Sequence, residues 1–353
     1  MPYRVVQWGT GNVGTLALRA IIESPQLELA GLIAHTPNKV GVDAGSLCGA
    51  GATGVVASDD VDAVLATKPD VVSYMASADL RPDAAVADMA RALRAGIDVV
   101  STSVVPLIHP KSADPRLVEP LAEACREGGT TFFTSGIDPG YANDLVPLTF
   151  CGTCERIDTL RVMEVLDYST YFQPTVLFET MGFGQPLDSS PLLLLPGVLK
   201  LAWGGVIGVL AEGLGVELDG IEEHYVRYPA ARTYELEVGT VDEGTQAALR
   251  FEVRGIVGGE QRIVLEHVTR MHPEVAPEWP TLEGQGGYRV LIEGNPSVKV
   301  DIITVGEDGD HNTGNILGTA MRVLNAIPAV VSAEPGLLSV LDLPLVSGKG
   351  LMR

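Results

Sequence analysis

Residues 3–14 read Tyr3-Arg4-Val5-Val6-Gln7-Trp8-Gly9-Thr10-Gly11-Asn12-Val13-Gly14, a short apolar strand running into G-x-G-x-x-G. The pattern alone is common, and its context makes it specific. Val13, Leu16, Ala17, Ala20 and Ile21 mark one face of a helix over residues 12–23, which Pro25 closes. Between a strand and a helix each glycine has a physical task. Gly9 permits the tight turn, Gly11 lets the backbone approach a pyrophosphate, and Gly14 lets helix and strand pack closely. The helix N-terminus then attracts the anion. Gly9, Thr10, Gly11, Asn12, Val13 and Gly14 are therefore expected to bind a dinucleotide.

Outward from this motif the first half alternates. Strands are predicted over residues 3–8, 27–35, 70–75, 98–100 and 130–134, and helices over 12–23, 59–67 and 82–95. A further helix opens at Asp114-Pro115, with Asp as N-cap and Pro at its first position, and stops at Gly128-Gly129. Strands joined by helices imply right-handed crossovers and a doubly wound parallel sheet. The second half changes period. Tyr234, Leu236 and Val238, then Leu249, Phe251 and Val253, then Val298, Val300 and Ile302 alternate with charged residues, as in a mainly antiparallel sheet with one polar face. Residues 174–214 are apolar and read as helical. Ile316, Ala320, Val323, Leu324 and Ile327 form a helical stripe that Pro328 closes. The expected fold class is α/β, an N-terminal Rossmann domain plus a C-terminal α+β domain. The expected boundaries are 1–140 for coenzyme binding, 141–310 for substrate and dimerisation, and 311–353 for a helix and tail returning towards the Rossmann domain.

The chain has 353 residues, a net charge of −21 and 46% hydrophobic residues. So acidic a surface repels phosphate backbones and anionic lipids, and nucleic acid and membrane are not expected partners. The run from Pro191 to Trp203 is broken by Pro196, Gly197 and Lys200, too short to span a bilayer. No signal peptide precedes the first strand, and four cysteines make no disulfide framework, so the expected location is cytoplasmic. Cys151 and Cys154 form a lone C-x-x-C without a second pair or clustered histidines, and no metal is expected.

The end of the second strand selects the coenzyme. An NAD site usually places a carboxylate there for the ribose 2′-hydroxyl, and none occurs between Glu28 and Asp43. Thr36, Asn38 and Lys39 can instead hold a 2′-phosphate, so NADP is expected over NAD. Ala76 and Ser77, Ser101 and Thr102, and Asn312 are the remaining expected coenzyme contacts.

These motifs, with Ser135-Gly136-Ile137-Asp138-Pro139-Gly140-Tyr141-Ala142-Asn143-Asp144-Leu145 and Gly309-Asp310-His311-Asn312, resemble the dihydrodipicolinate reductase-like superfamily. The similarity is greatest to the branch of 2,4-diaminopentanoate and native amine dehydrogenases. The resemblance implies NAD(P)H-dependent reduction of a C=O or C=N carbon, including reductive amination with ammonia, by a homodimer with its active site in the interdomain cleft. Two departures stand out. Glu223-His224-Tyr225 lacks the second histidine and the lysine of the lysine-pathway reductases, which argues against dihydrodipicolinate as substrate. Amine dehydrogenases of this branch carry a glutamate just after the strand ending at Val100, where this chain has Val104. Valine accepts no proton, so weak or absent reductive amination is expected from this position, and Val104→Glu is expected to raise it.

Hydride transfer needs a proton donor beside the reacting carbon. Tyr168 is the first candidate, with Glu164 on the same strand face and Asn143 after the Pro-Gly turn. Each also has a plain packing or capping role available. Val104, Tyr141, Tyr171, Phe178, Met181 and His311 are the expected pocket residues, and His267, inside an alternating strand, reads as structural. No basic cluster is at hand for a dicarboxylate, so the substrate is expected to be a mostly apolar small molecule. The alternative from another class is an NADP-binding sensor with reduced catalysis.

Overall fold

The computed structural model describes residues 1–78 and 81–352. The chain forms two compact units, Met1–Ile137 joined by the chain from Ile316 onward, and Asp138–Asn315.

In the first unit β1 (Tyr3–Trp8), α1 (Asn12–Glu23), β2 (Leu27–Ile33), α2 (Ala44–Cys48), β3 (Ala57–Ser58), α3 (Val61–Leu65), β4 (Val71–Tyr74), α4 (Pro82–Arg94), β5 (Asp98–Ser101), α5 (Pro115–Gly128) and β6 (Thr131–Thr134) alternate as the sequence implies. The seven-stranded sheet has the order β15-β6-β5-β4-β1-β2-β3, where β15 is Gly336–Leu338, and every pairing is parallel. This is the Rossmann order, reversing between β1 and β4, and ligands bind outside the carboxyl ends of the strands at such a reversal. Asp114 caps α5 through its side chain on the Arg116 amide, and Gly129 ends the helix in the left-handed conformation.

The second unit contains α6 (Leu145–Cys151), β7 (Arg156–Asp167), α7 (Val198–Leu214), β8 (Gly220–Pro229), β9 (Tyr234–Leu236), β10 (Gly239–Val241), β11 (Gln246–Val257), β12 (Glu260–Arg270), β13 (Gly286–Asn295) and β14 (Val298–Ile302). Its six-stranded sheet runs β14-β13-β7-β12-β11-β8, antiparallel throughout except for β7 beside β12. Leu160, Val162, Leu249, Phe251, Val253, Ile263, Leu265, Val290 and Ile292 are buried in one core with Val206, Ile207 and Leu210 of α7.

Three readings need correction. Residues 174–214 are not one helical region: single turns at Thr175–Thr180 and Leu192–Leu194 precede α7. Gly182 and Gly184 adopt positive φ, and Pro186, Pro191 and Pro196 interrupt any ladder of amide donors. The alternation from Tyr234 makes only the two-stranded β9–β10 ribbon, apart from the main sheet. Pro328 closes nothing: α8 (His311–Leu324) ends earlier, and Pro328 lies in the first turn of α9 (Ile327–Val331), where a missing amide costs little. His311–Val331 reaches the length and apolarity of a membrane span, but Ala320, Val323, Leu324, Ile327 and Val330 are buried in the core of the first unit.

Candidate active site

The glycine loop of the first unit is shaped by contact. Gly9 has φ of +98°, and a Cβ there would stand 2.9 Å from the Ala76 amide nitrogen at the end of β4. A Cβ on Gly14 would lie 2.3 Å from the Gly9 carbonyl oxygen. Gly11 faces open space, and as the N-cap of α1 it has no side chain with which to cap the first turn. Two glycines are thus required by close packing, and the third leaves an uncapped helix N-terminus open to an anion. These residues fit a dinucleotide pyrophosphate. Gln7 donates from Nε2 to the Gly9 oxygen at 2.9 Å. Lys39 reaches over from beyond β2 and donates from Nζ to Thr10 O at 2.6 Å and Thr10 Oγ1 at 3.1 Å. Thr36 and Asn38 are exposed in the same loop.

Ala76 and Ser77 follow the carboxyl end of β4, Ser101 ends β5 and Thr102 follows it. Ser103 Oγ donates to Ala76 O at 2.6 Å, the Thr102 amide donates to Tyr74 O at 3.2 Å, and Ser101 Oγ accepts from the Ser103 amide at 2.9 Å. Val104 stands next with φ of 57° and ψ of 60°, a left-handed conformation that β-branched residues rarely adopt. Its side chain is 6% exposed and sits in one apolar core with Trp8, Tyr74 and Leu107.

The second unit holds a polar row inside an apolar layer. In strand register Tyr288 of β13 faces Glu164 of β7, Glu164 faces His267 of β12, and His267 faces Phe251 of β11. Directly opposed residues share a sheet face, so the four stand side by side on the face that α7 covers. Glu164 and His267 are 5% and 3% exposed. Tyr168 Oη donates to Glu164 Oε1 at 2.7 Å, and His267 Nδ1 lies 3.3 Å from that same oxygen. On the other side of the ring His267 Nε2 lies 3.2 Å from Asp138 Oδ2. Trp203 of α7 donates from Nε1 to Asp138 Oδ1 at 2.9 Å, and the Phe251 ring stacks on His267 at 4.5 Å.

Burial opposes charge on His267, but the carboxylates of Asp138 and Glu164 more than reverse this and raise the imidazole to about 10. Burial likewise pushes the Asp138 carboxyl up, and the charge of His267 outweighs it, leaving Asp138 below its ordinary value. Burial, then the Glu164 charge, holds the Tyr168 phenol well above its usual range. Asp138, Glu164 and His267 place donor atoms within 4.8 Å of one another, near enough for a cation. Each carboxylate, however, sits on a different ring nitrogen at ion-pair distance. That is the geometry of an imidazolium between two counter-charges, since one metal ion takes only one nitrogen of a ring.

The structure thus brings Glu164 and Tyr168 together, and adds Asp138, His267 and Tyr288, which the sequence reading did not place in a site. One signal was available: His267 and Glu164 both fall on apolar-face positions of alternating strands. Asn143 is buried, with Oδ1 accepting from the Gly140 amide at 2.9 Å. Tyr141 is exposed, and Tyr171 packs its ring 4.9 Å from that of Tyr168. Met181 is buried and Phe178 packs against the same core. His311 spends both ring nitrogens, on Gln285 Oε1 at 2.8 Å and Asp167 O at 2.5 Å, and Asn312 Nδ2 donates to Asp167 O and Thr170 Oγ1. This pair fastens the start of α8 to the end of β7.

A Rossmann unit with a dinucleotide loop, and a second unit whose sheet carries a buried acid–imidazole–phenol row, define a nicotinamide-dependent oxidoreductase of two units. Residues 3–103 match the family described as dihydrodipicolinate reductase, N-terminus, and residues 141–352 match the 2,4-diaminopentanoate dehydrogenase C-terminal domain. An amine dehydrogenase of Streptomyces virginiae is 46% identical over 344 residues, 96% of each chain. A 2,4-diaminopentanoate dehydrogenase of Acetoanaerobium sticklandii is 26% identical over 260 residues, covering 70% of this chain and 67% of that one. The solved amine dehydrogenase of Mycobacterium smegmatis shares the fold, with a TM-score of 0.79, 22% identity and coverage of 98% and 97%. The chain belongs to the amine and 2,4-diaminopentanoate dehydrogenase family of dihydrodipicolinate reductase-like oxidoreductases.

Proposed function

We propose that the protein is an NADPH-linked amine dehydrogenase acting on mostly apolar carbonyl compounds with ammonia, and that Glu164 and Tyr168 handle its protons. The observation that carries this reading is a carboxylate 5% exposed in an apolar layer, with a phenol hydroxyl 2.7 Å away. A buried carboxylate accepting from a phenol hydroxyl is arranged as an acid–base pair, which the chemistry of amination needs. The coenzyme, when bound by the glycine loop, Lys39 and the ends of β4 and β5, supplies the hydride. The protein must then take one proton from ammonium before the nitrogen attacks, and return one as the hydroxyl leaves as water. Glu164 accepts the first, and Tyr168, hydrogen-bonded to it, orients it and exchanges protons with it. The apolar residues near Tyr171 and Phe178 favour a substrate without a second charge.

Glu164→Gln should lower kcat for ammonium-dependent NADPH oxidation about a hundred- to ten-thousand-fold, the range for a positioned acid–base group, with NADPH affinity unchanged. Full activity of that variant would sink the assignment. Val104 favours a second reading, ammonia-independent carbonyl reduction, because a buried valine offers nothing to a nitrogen. Turnover with ketone that ignores ammonium would select it.

We also infer a homodimer. The apolar face of the second sheet is already covered by α7, so that face does not call for a partner. The support comes from the opposite face, where Arg161 pairs with Glu252 and Glu266, and Arg250 with Glu266. Mixed charges of this kind suit a self-complementary contact.

A further inference from the structure

We infer that Asp138 and His267 are positioning residues that make Glu164 a proton acceptor, by leaving the buried row with one uncompensated negative charge that a single proton removes. The inference rests on the reading that Glu164 handles the substrate proton. Its observations are the two ion pairs on opposite nitrogens of one ring, 3.2 Å to Asp138 and 3.3 Å to Glu164, all three side chains being at most 5% exposed.

With both carboxylates ionised and His267 an imidazolium, the row carries −1. When Glu164 takes a proton the row becomes neutral, the state that a low-dielectric interior favours. Without Asp138, an ionised Glu164 would already be neutralised by the imidazolium, and protonating it would strand a bare cation, so Glu164 would be a poor base. Without His267, two carboxylates would face the interior with no cation between them, and one proton taken up by the pair would relieve the repulsion and leave no free base. The proton balance is closed: Glu164 Oε takes one proton from ammonium and later gives one to the departing hydroxyl, while His267 keeps both of its own.

The groups facing the row are few. His267 meets Asp138 and Glu164 at its nitrogens and the rings of Trp203 and Phe251. Glu164 meets Tyr168 and, in register, Tyr288, whose phenol is pushed well above its usual range by burial and then by the Glu164 charge, with Tyr171 beyond. Asp138 meets Trp203 Nε1, and Asn143 stands close by. Among the described residues no lysine or arginine pairs with either carboxylate of the row, so the imidazolium is its cation.

The test is the pH profile of kcat/KM for ammonium-dependent NADPH oxidation. In Asp138→Asn the acid limb should move to lower pH, and in His267→Gln to higher pH, each by about one unit or more. Opposite shifts support the inference, since a merely structural loss would lower activity at every pH. Shifts of one sign, or none, overturn it. Glu164→Gln separates the two ideas: if it stays active the underlying reading fails, and if it is inactive while the limbs do not diverge only the inference fails. Should His267→Gln not fold, as judged by NADPH binding, the native protein still decides. Its His267 ring should show both nitrogens protonated by 15N resonance from pH 6 to 9, and a neutral ring at pH 7 would overturn the inference.

Discussion

Replacing Lys39 by alanine should separate what this residue does for any dinucleotide from what it does for one bearing a 2′-phosphate. Two of its three ammonium protons are directed at Thr10, at 2.6 Å to the carbonyl oxygen and 3.1 Å to the hydroxyl, and so brace the glycine loop. That brace serves NADH and NADPH alike, and losing it should cost both about 0.5–1 kcal/mol, the net worth of an ordinary hydrogen bond. The third proton and the charge remain for the 2′-phosphate. In a partly buried loop this is worth about 1–2 kcal/mol, below the full value of a buried charge-assisted bond because solvent screens it. Lys39→Ala should therefore weaken NADH two- to fivefold by order of magnitude, and lower the NADPH-over-NADH preference by about 5- to 30-fold. Fluorescence titration of both coenzymes with both proteins measures this. Tighter binding of NADH than NADPH by the native protein would refute the coenzyme assignment, and an unchanged ratio in the variant would refute the role given to Lys39.

Gly14→Ala should abolish binding of either coenzyme, because its Cβ would lie 2.3 Å from backbone oxygen that no rotamer can clear; calorimetry with NADPH reads this directly. Val104→Glu should lower the melting temperature rather than raise amination, because it puts a carboxylate among Trp8, Tyr74 and Leu107, an unpaired burial costing several kcal/mol. With its pKa raised from 6.5 to about 10, His267 stabilises the fold fully below the lower value, and this is lost as pH rises through the higher one. The gap in melting temperature between the native protein and His267→Gln should accordingly shrink as pH rises from about 6.5 to about 10. Sedimentation equilibrium at micromolar concentration should give twice 37.2 kDa, and a single species at the monomer mass would rule the dimer out.

What could be read in the sequence was what local rules decide. The glycine loop, the capped start of α5 at Asp114 and the alternation of β11 and β14 each depend on neighbours a few residues away. The Rossmann sheet followed because right-handed crossovers leave few other arrangements. Residues 174–214 were misread because apolar composition outweighed the prolines and glycines that punctuate it. The active-site candidates were half legible for a different reason. Glu164 and Tyr168 lie four residues apart and could be paired on paper. His267 and Tyr288 join them only through the register of β12 and β13 against β7, and Asp138 through a loop. Register is set by long-range pairing, which one sequence does not display.

The in-register row also acts on the folding chain as a check on strand pairing. Sheets whose faces are uniformly apolar can tolerate a slipped register while the chain searches. Here a slip of β7 by one residue against β12 would turn Glu164 to the opposite face and leave His267 and Asp138 buried without their third charge. Two residues of slip would restore the face but set Val162 or Leu166 against the imidazole instead. The two-residue slip strands the Glu164 charge in an apolar layer away from its imidazolium, at a cost of several kcal/mol against a domain stability of about 5–15 kcal/mol. The row of side chains proposed to handle the proton therefore also disfavours wrong alignments of the strands that carry it.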